Sequence, residues 1–266
     1  MDLVIPIGVL FILALFEAFL GSYTNGKYKL TDWVVSVIST SQLVLLVRPL
    51  IVTIVALLLS WLFPQFQNAL SGINFWWALI IYLLVDDFMH YWFHRIAHEN
   101  DWLWKFHETH HASNDINTTV AFKTNFFWML ILPELYFSAA CLWLGVIWPL
   151  LVAHTFKAAL EFFYHFNKRP DLVLHRNKYL KSIGWVLERL IVMQDTHHAH
   201  HGCGLNGNDK SNYSGTFMIW DILFGTAYFP HAEQDKIGIL DYENHPWYHQ
   251  LYWPILKRKK TKRDSV

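Results

Sequence analysis

Clustered histidines are the residues of this sequence whose type and spacing could do chemistry. Residues 107–111 read HETHH, and this stretch fits two patterns. As H-E-x-x-H, it makes His107 and His111 zinc ligands and Glu108 the general base of a metalloprotease. As H-x-x-H-H, it supplies three metal-binding imidazoles, with His110 as the third, and it gives Glu108 no catalytic role.

A second histidine triplet favours one of these patterns. His197, His200 and His201 repeat the H-x-x-H-H spacing, and no glutamate follows His197. Because positions i, i+3 and i+4 lie on one side of a helix, each triplet can present three rings to a common site. A metalloprotease needs no second triplet of this kind. The sequence therefore favours metal binding by both triplets.

A histidine pair extends the two triplets. His94 and His98 are four residues apart in HRIAH, which brings the clustered imidazoles to eight. One tetrahedral zinc ion uses four ligands, so the sequence predicts two metal ions. Imidazole binds iron, copper, nickel and zinc alike. Iron is favoured because oxidation of an unactivated carbon–hydrogen bond in a lipid needs a redox metal, and zinc has no redox chemistry.

The elements that must position these histidines are membrane helices. Hydrophobic residues make up 54% of the 266 residues, and the mean hydropathy is positive. The pattern predicts an all-α fold, an integral membrane helical bundle of about four to five transmembrane helices. The apolar runs cover residues 3–21, 41–63 and 74–94, and two helices between 126 and 166 that meet at a turn in 144–149.

The chain is predicted to form a single integral-membrane domain. Residues 1–73 would hold the N-terminal membrane helices, residues 74–230 the histidine-rich core, and residues 231–266 a cytoplasmic segment that ends in the basic tail KRKKTKRDSV. Positively charged flanks favour the cytoplasmic side of a membrane. We therefore expect a multi-pass protein of a bacterial inner membrane or the endoplasmic reticulum, with its metal site and C-terminus in the cytoplasm.

Charge and cysteine content exclude several classes of function. The 21 basic and 21 acidic residues balance, so no overall positive field favours nucleic acid as a partner. Two cysteines, Cys141 and Cys203, do not make a disulfide framework. No G-x-G-x-x-G motif follows a strand, so nothing indicates a flavin or nicotinamide module within the chain.

The order of the histidine motifs resembles a known family. HRIAH, HETHH, the histidine of FFYHFN and HHAHH follow one another as in the fatty acid hydroxylase and sterol desaturase superfamily of membrane di-iron oxygenases. DFMHYWFHR resembles that family's Asp-x-x-x-Tyr-x-x-His-Arg segment, and NYSGTFMIWDILFGT resembles its Asn-Tyr-Gly…Trp-Asp-x-x-Phe-Gly-Thr run, so the resemblance covers about residues 80–230.

The resemblance implies a transmembrane core capped by a cytoplasmic histidine-rich helical region that holds two iron ions. The implied ligands are His94, His98, His107, His110, His111, His165, His197, His200 and His201. The implied activity is the hydroxylation or desaturation of a sterol, fatty acyl or related lipid with O2 as co-substrate. Electrons would come from a separate donor of the cytochrome b5 or ferredoxin type. Zinc is expected to replace iron in purified protein, because nitrogen sites bind it more tightly than Fe2+.

Side chains beside the clusters have expected roles of their own. Asp87 and Asp195 are predicted to accept hydrogen bonds from ligand imidazoles, which would fix the orientation of those rings. His154 and His175 are further candidates for ligands or for such hydrogen-bond partners. His90 lies outside the ligand positions of the family pattern.

Four histidines have no expected role in the metal site. His198 is expected to face away from the metals. Three others are expected to be ordinary surface or core residues, namely His231, His245 and His249.

The sequence departs from the family pattern after HETHHAS. Lys123 and Asn125 stand where that pattern has arginine and histidine, which puts the substrate contacts in doubt and leaves the metal ligands intact. Aromatic side chains nearby, Phe122 and Trp128 among them, could line a lipid tunnel. Two other functions stay open as alternatives, a membrane zinc metalloprotease that uses HETHH and a metal-binding membrane transporter.

Overall fold

Helices make up the regular secondary structure of the described residues, apart from one isolated β-bridge between Gly202 and Ile237. The computed structural model describes residues 12, 14–20, 23 and 27–257. The all-α prediction is confirmed for this part of the chain. Most of the predicted first transmembrane helix, residues 3–21, lies outside the described residues, and so do residues 258–266 of the basic tail.

The first long helix runs without interruption through 33 residues, Leu30–Leu62. It consists of α1 (Leu30–Gln42), a π-helical turn (Leu43–Val47) and α2 (Arg48–Leu62). At a rise of 1.5 Å per residue it is about 50 Å long, enough to cross a bilayer. Within the described residues it is the only helix both long and apolar enough to do so. The predicted count of four to five spans therefore remains a prediction.

The outward face of this helix is apolar. Leu45, Leu57 and Trp61 are 77%, 67% and 78% exposed. Contiguous exposed apolar surface marks a site of contact with lipid or protein. The predicted span 41–63 coincides with the C-terminal part of this helix except for residue 63, since the helix ends at Leu62, before Pro64 begins a 3-10 turn.

Two consecutive helices carry the first five histidines of the clusters. Helix α3 (Phe75–Glu99) holds HRIAH at its C-terminal end, and α4 (Asp101–His111) ends in HETHH. Asn100 alone separates them, and its side chain accepts hydrogen bonds from the N–H groups of Trp102 and Leu103 at 3.1 and 3.0 Å. This N-cap stops α3 and starts α4 at a sharp corner, so the two motifs face each other.

The segment 126–166 departs from its prediction. The fourth helix expected there is broken into α5 (Phe126–Ile131) and α6 (Pro133–Trp143), because Leu132 is extended and Pro133 has no N–H to continue the helical hydrogen bonds. The predicted turn is confirmed, with Gly145 at φ 91° between α6 and α7 (Ile147–His165).

Short helices build the cap over these longer ones. They are a 3-10 turn (Thr118–Phe122), α8 (Asp171–Arg176), α9 (Lys181–Leu190), α10 (Gln194–His201), α11 (Ile219–Leu223) and α12 (Trp247–Tyr252). Helix α3 packs on α4, α6 and α7, and α10 packs on α7. The end of α3, all of α4, the end of α7 and α10 therefore meet at one place.

Candidate metal centre

Two adjacent groups of imidazoles lie where these helices meet. Within each group the candidate ligand nitrogens all lie within 4.8 Å of one another. The first group consists of His94, His98, His107, His111 and His200, and the second of His110, His165, His197 and His201. The structure thus brings together all nine histidines singled out from the sequence. Whether they bind metal remains a prediction.

Each H-x-x-H-H triplet is divided between the two groups. On α4, His107 and His111 belong to the first group and His110 to the second. On α10 the division is reversed, since its i and i+4 histidines lie in the second group and His200 lies in the first. In each triplet the i and i+4 rings belong to one group, and the i+3 ring, which lies about 100° around the helix from i+4, belongs to the other. The three rings of a triplet therefore do not share one site, although their spacing had suggested that they would. One helix can therefore serve two sites.

The distances between ring nitrogens suit shared coordination. In the first group, Nε2 of His94 lies 2.9 Å from Nε2 of His107 and 3.1 Å from Nε2 of His200. In the second group, Nε2 of His165 lies 3.0 Å from Nε2 of His197. Two nitrogens bound at right angles to one metal at ~2.1 Å would be separated by about 3.0 Å.

Unpartnered nitrogens provide an independent test of the fit. Nε2 of His98 and Nε2 of His201 are buried and have no hydrogen-bond partner among the described residues. A buried polar atom without a partner costs about 1–3 kcal/mol. Each of these atoms belongs to one of the two groups, so a metal ion in each group would satisfy it. The residues present fit two metal ions.

The charge state of the rings also suits metal binding. The pKa values of His107, His110, His111, His197 and His201 lie well below the usual range, because burial disfavours the charged ring and neighbouring imidazoles repel a further positive charge. The rings are neutral at pH 7. Neutral imidazole is the form that binds metals.

Backbone carbonyls fix the tautomers of three rings. The Nδ1–H of His94 donates to the carbonyl of Tyr213 at 2.8 Å, and that of His200 donates to the carbonyl of Ser211 at 2.7 Å. His165 donates in the same way to a carbonyl one turn earlier in α7, at 2.9 Å. With the proton held on Nδ1, the lone pair of Nε2 is available to a metal.

The prediction that Asp87 accepts a hydrogen bond from a ligand imidazole is wrong for the described residues. Its carboxylate accepts the backbone N–H groups of Gly215 and Phe217, at 3.2 and 2.8 Å. It is fully buried, and it holds the loop that carries the carbonyl of Tyr213. Its effect on His94 is therefore indirect.

The predicted hydrogen bond from a ligand imidazole to Asp195 is also not formed by the described residues. Asp195 accepts from Nη2 of Arg169 at 2.8 Å and from the backbone N–H of His231 at 2.9 Å. It lies in the first turn of α10, and these bonds anchor that helix to α8 and to the loop after α11.

Asp221 is a functional candidate that the sequence analysis did not single out. It is the aspartate of the WDILFGT segment, and it is fully buried. It accepts the backbone N–H groups of Tyr213 and Ser214 at 2.8 and 2.9 Å, and the hydroxyl of Thr226 at 2.7 Å. Its position in the segment that resembles the family's Trp-Asp-x-x-Phe-Gly-Thr run could have indicated a role. Its role is to hold the loop whose carbonyl orients His94.

The other histidines of the core lie outside both groups. His90 contacts Oε1 of Glu134 through Nδ1 at 2.7 Å. His154, a candidate ligand in the sequence analysis, lies 3.0 Å from the hydroxyl of Tyr82 through Nε2. His198 is buried in α10 and belongs to neither group, as expected. His175 belongs to a separate group of residues.

The geometry around Glu108 does not favour a metalloprotease. Its Oε2 accepts from Nζ of Lys105 at 3.1 Å. Glu108 belongs to neither histidine group, whereas His110, which has no ligand role in the H-E-x-x-H pattern, belongs to the second group. The arrangement corresponds to H-x-x-H-H.

Lys123 and Asn125, where the sequence departs from the family pattern, have structural contacts. Lys123 is fully buried, pairs with Asp32 of α1 at 2.7 Å and donates to the hydroxyl of Ser113 at 3.0 Å. The amide of Asn125 donates to the carbonyl of Gln250 at 3.0 Å. These contacts tie the segment after HETHH to α1 and to α12.

A cavity of about 250 Å³ borders both histidine groups. Its lining includes His94 and His107 of the first group and His165 and His197 of the second. Charged side chains from α3, α6 and α7 complete the wall, among them Asp86, Glu134, Lys157 and Glu161. Phe122 and Trp128 also line the cavity, and a lipid tunnel remains a prediction.

A second cavity of about 230 Å³ adjoins the first. The two share Ser138 and His154 in their linings. Most of the second lining is aliphatic and comes from α2, α6 and the start of α7, including Ile51, Leu142 and Leu150. The first cavity thus has a charged wall beside the histidines, and the second is mainly aliphatic, with Arg48 in the linings of both.

Comparisons with known proteins relate this arrangement to lipid oxygenases. Alkylglycerol monooxygenase of Xenopus tropicalis is 33% identical over 169 residues, 62% of this chain and 32% of the relative. The human alkylglycerol monooxygenase is 30% identical over 161 residues, 60% of this chain and 32% of the relative. Methylsterol monooxygenase 2-1 of Arabidopsis thaliana is 30% identical over 157 residues, 56% of this chain and 54% of the relative.

The matched region spans about a third of the length of the two alkylglycerol monooxygenases. No solved structure matches the chain significantly. The family model described as fatty acid hydroxylase matches residues 79–226, which include all nine histidines of the two groups. Since this match covers more than half of the 266 residues, the chain belongs to the fatty acid hydroxylase family.

Proposed function

We propose that this chain is an O2-dependent membrane lipid oxygenase that holds two iron ions in its two histidine groups and hydroxylates or desaturates an unactivated C–H position. The observation that carries the proposal is the pair of adjacent imidazole groups bordering one cavity. Membership of the fatty acid hydroxylase family and relatives named as monooxygenases support it. Neither alternative, metalloprotease or transporter, has a comparable observation in its favour.

Bound iron would supply the activation of O2 and the removal of hydrogen from the substrate carbon. The protein supplies the geometry. The two triplets and the α3 pair present neutral nitrogens from several directions, and the carbonyls of Tyr213 and Ser211 hold rings of the first group in one tautomer. Asp87 and Asp221 fix the loop that carries Tyr213. Ligand rings held in this way need no rearrangement when the metal binds.

The lining of the cavities favours a lipid with a hydroxyl-bearing head. Charged and polar groups such as Glu134, Lys157 and Ser138 lie in the cavity that borders the histidines, where they can bond to hydroxyls. The aliphatic cavity suits a hydrocarbon chain. We therefore propose an alkylglycerol-like substrate, oxidised near its head group, with a sterol or fatty acyl lipid as the second choice. The names of the curated relatives agree with this order.

The membrane setting and the electron supply belong to the same proposal. The Leu30–Leu62 helix would cross the bilayer, and a multi-pass bundle would be completed by α3, α6 and α7. The metal centre and the C-terminus would face the cytoplasm. A separate donor of the cytochrome b5 or ferredoxin type would deliver the electrons. A lipid that diffuses in the bilayer could then enter between the helices.

The test is lipid oxidation by the purified chain. Protein loaded anaerobically with Fe2+ is given a chemical reductant, 18O2 and, in separate reactions, an alkylglycerol, a sterol and an alkane of matched chain length. We expect about two iron atoms per chain and one 18O atom in the alkylglycerol product by mass spectrometry. A chain that binds one iron, or that oxidises none of the three lipids at any iron content, would contradict the proposal.

A further inference from the structure

A third group of metal-binding side chains lies apart from the nine clustered histidines. His175 at the end of α8, Glu188 in α9 and His231 after α11 have candidate ligand atoms within 4.8 Å of one another. Nε2 of His231 lies 2.7 Å from Oε2 of Glu188, and Nε2 of His175 lies 3.3 Å from the same oxygen. Two imidazoles thus approach one carboxylate oxygen.

The carboxylate of Glu188 is arranged for more than one partner. It is fully buried, and its other oxygen, Oε1, pairs with Nη1 of Arg189. This contact fixes the carboxylate with Oε2 turned to the two histidines. Arg189 compensates the buried charge from the side of Oε1, and Oε2 remains able to bind a protonated imidazole or a metal ion.

His175 favours the metal ion. Its side chain is only 7% exposed, and its Nε2 is buried and makes no hydrogen bond within the described residues. The 3.3 Å between Nε2 of His175 and Oε2 of Glu188 is close to the separation of two ligand atoms that each lie about 2.0–2.2 Å from one ion. Room for the ring depends on Gly184, where a Cβ would lie 3.3 Å from Cε1 of His175.

We propose that His175, Glu188 and His231 form a further metal site that binds Zn2+. Two imidazoles and one carboxylate are a zinc donor set, and the fourth tetrahedral position is left for water. The side chain of His231 is 41% exposed, which gives an ion access from solvent. The site uses none of the nine histidines of the two groups, so it goes beyond the proposed oxygenase function.

The consequence of zinc binding is structural. The backbone N–H of His231 donates to Asp195 in the first turn of α10. Arg169 bonds both to Asp195 and to Asp171 at the start of α8. An ion held by His175, Glu188 and His231 therefore fastens α8, α9 and the loop after α11 around the helix that carries the second histidine triplet.

Zinc content measured on the full chain tests the proposal. Wild type, His231→Ala and the control His249→Ala are saturated with Zn2+ in detergent, freed of excess metal by gel filtration and analysed by mass spectrometry for zinc per chain. We expect His231→Ala to hold one zinc fewer than the other two proteins. Equal zinc in all three would overturn the proposal. Because the test compares zinc per chain between variants that all keep the two histidine groups, the result does not depend on whether those groups bind iron.

A second variant covers the case in which His231→Ala folds poorly. In His231→Cys the thiolate keeps a ligand at the same position, and in the Co2+-loaded protein it should produce a cobalt–thiolate charge-transfer band that the Co2+-loaded wild type lacks. Absence of the band in a protein that elutes at the wild-type volume would contradict the proposed site. Glu188→Gln in the His231→Cys background should remove most of the band.

Discussion

The imidazoles of His111 and His201 stack with their centroids 4.3 Å apart and their planes at 19°, although the two rings belong to different groups. One comes from the triplet on α4 and the other from the triplet on α10. Their contact is the border between the two groups. The two groups are therefore in direct contact, and neither group is complete without both triplets.

The first prediction compares His110→Ala with Glu108→Gln. His110 belongs to the second group, whereas Glu108 pairs with Lys105 outside both. We expect His110→Ala to lose about one iron per chain and to lower lipid oxidation by at least ~10–100-fold. Glu108→Gln should keep both irons and most of the activity. Iron content and turnover are measured side by side. A fully metallated but inactive Glu108→Gln beside an active His110→Ala would contradict the assignment of His110 as a ligand and of Glu108 as a residue without a catalytic role.

The second prediction concerns Asp221, which holds the loop that orients His94. Asp221→Asn should lower the free energy of unfolding by at least about 2 kcal/mol, since buried N–H groups lose a charged acceptor. Iron affinity should also fall, because the carbonyl of Tyr213 is no longer fixed. Thermal unfolding in detergent and iron titration measure the two effects. Asp209→Asn, at an exposed loop position, is the control, and an equal effect there would remove the proposed role of Asp221.

The third prediction concerns head-group recognition by Glu134. Glu134→Gln keeps the size of the side chain but removes the charge beside His90. We expect KM for an alkylglycerol to rise about 10-fold, which corresponds to ~1.4 kcal/mol, with a smaller change in kcat. A lipid of the same chain length without hydroxyls should show no rise. The exposed Glu233→Gln serves as control. A KM increase of the same size for both lipids would argue against contact with the head group.

The fourth prediction concerns the buried ion pair between Lys123 and Asp32. Burial lowers the pKa of Lys123, and the Asp32 carboxylate opposes that effect. Lys123→Met should destabilise the protein by about 3–5 kcal/mol, because it leaves the charge of Asp32 buried and unpaired. Adding Asp32→Asn to Lys123→Met should recover a large part of the loss. Thermal unfolding of both variants measures this, and additive losses would show that the two charges are not coupled.

The fifth prediction concerns topology. A reporter fused after Val266 should be cytoplasmic, and one inserted between Pro64 and Gly72 should lie on the opposite side, because three predicted spans, all within residues 74–166, lie between the two positions. Accessibility to a membrane-impermeant thiol reagent gives an independent measurement. If both reporters lie on one side, the third predicted transmembrane helix does not cross the bilayer.

Eight of the nine histidines could be found from their spacing in the sequence, and His165 from its place in the motif order of the family that the sequence resembles. Their division into five and four could not. This division depends on how α4 and α10 are placed relative to each other. On each helix the i, i+4 pair belongs to one group and the i+3 ring to the other. Pro133 could have indicated the break in the fourth helix, but the long apolar run around it led to the prediction of one continuous helix.

The partners of Asp87 and Asp195 were harder to predict. Asp87 bonds to the backbone of Gly215 and Phe217, which lie 128 and 130 positions along the chain. Because a backbone N–H group is present whatever the side chain, the sequence does not indicate which backbone groups a carboxylate will bind. A carboxylate near a histidine motif is therefore easily assigned to the wrong partner. The proximity of His175, Glu188 and His231 was missed for a related reason. The three residues are isolated in sequence, and only the fold brings them together.

The corner at Asn100, where α3 passes into α4, has a consequence for the order in which the protein forms. Four of the five imidazoles of the first group lie within residues 94–111, so this group closes a short loop and needs only His200 from elsewhere. The second group must close loops from α4 to α7 and α10, and longer loops cost more entropy. During synthesis most of the first group can assemble before α10 leaves the ribosome. Detachment of α10 from the finished protein would remove two ligands from the second group and one from the first.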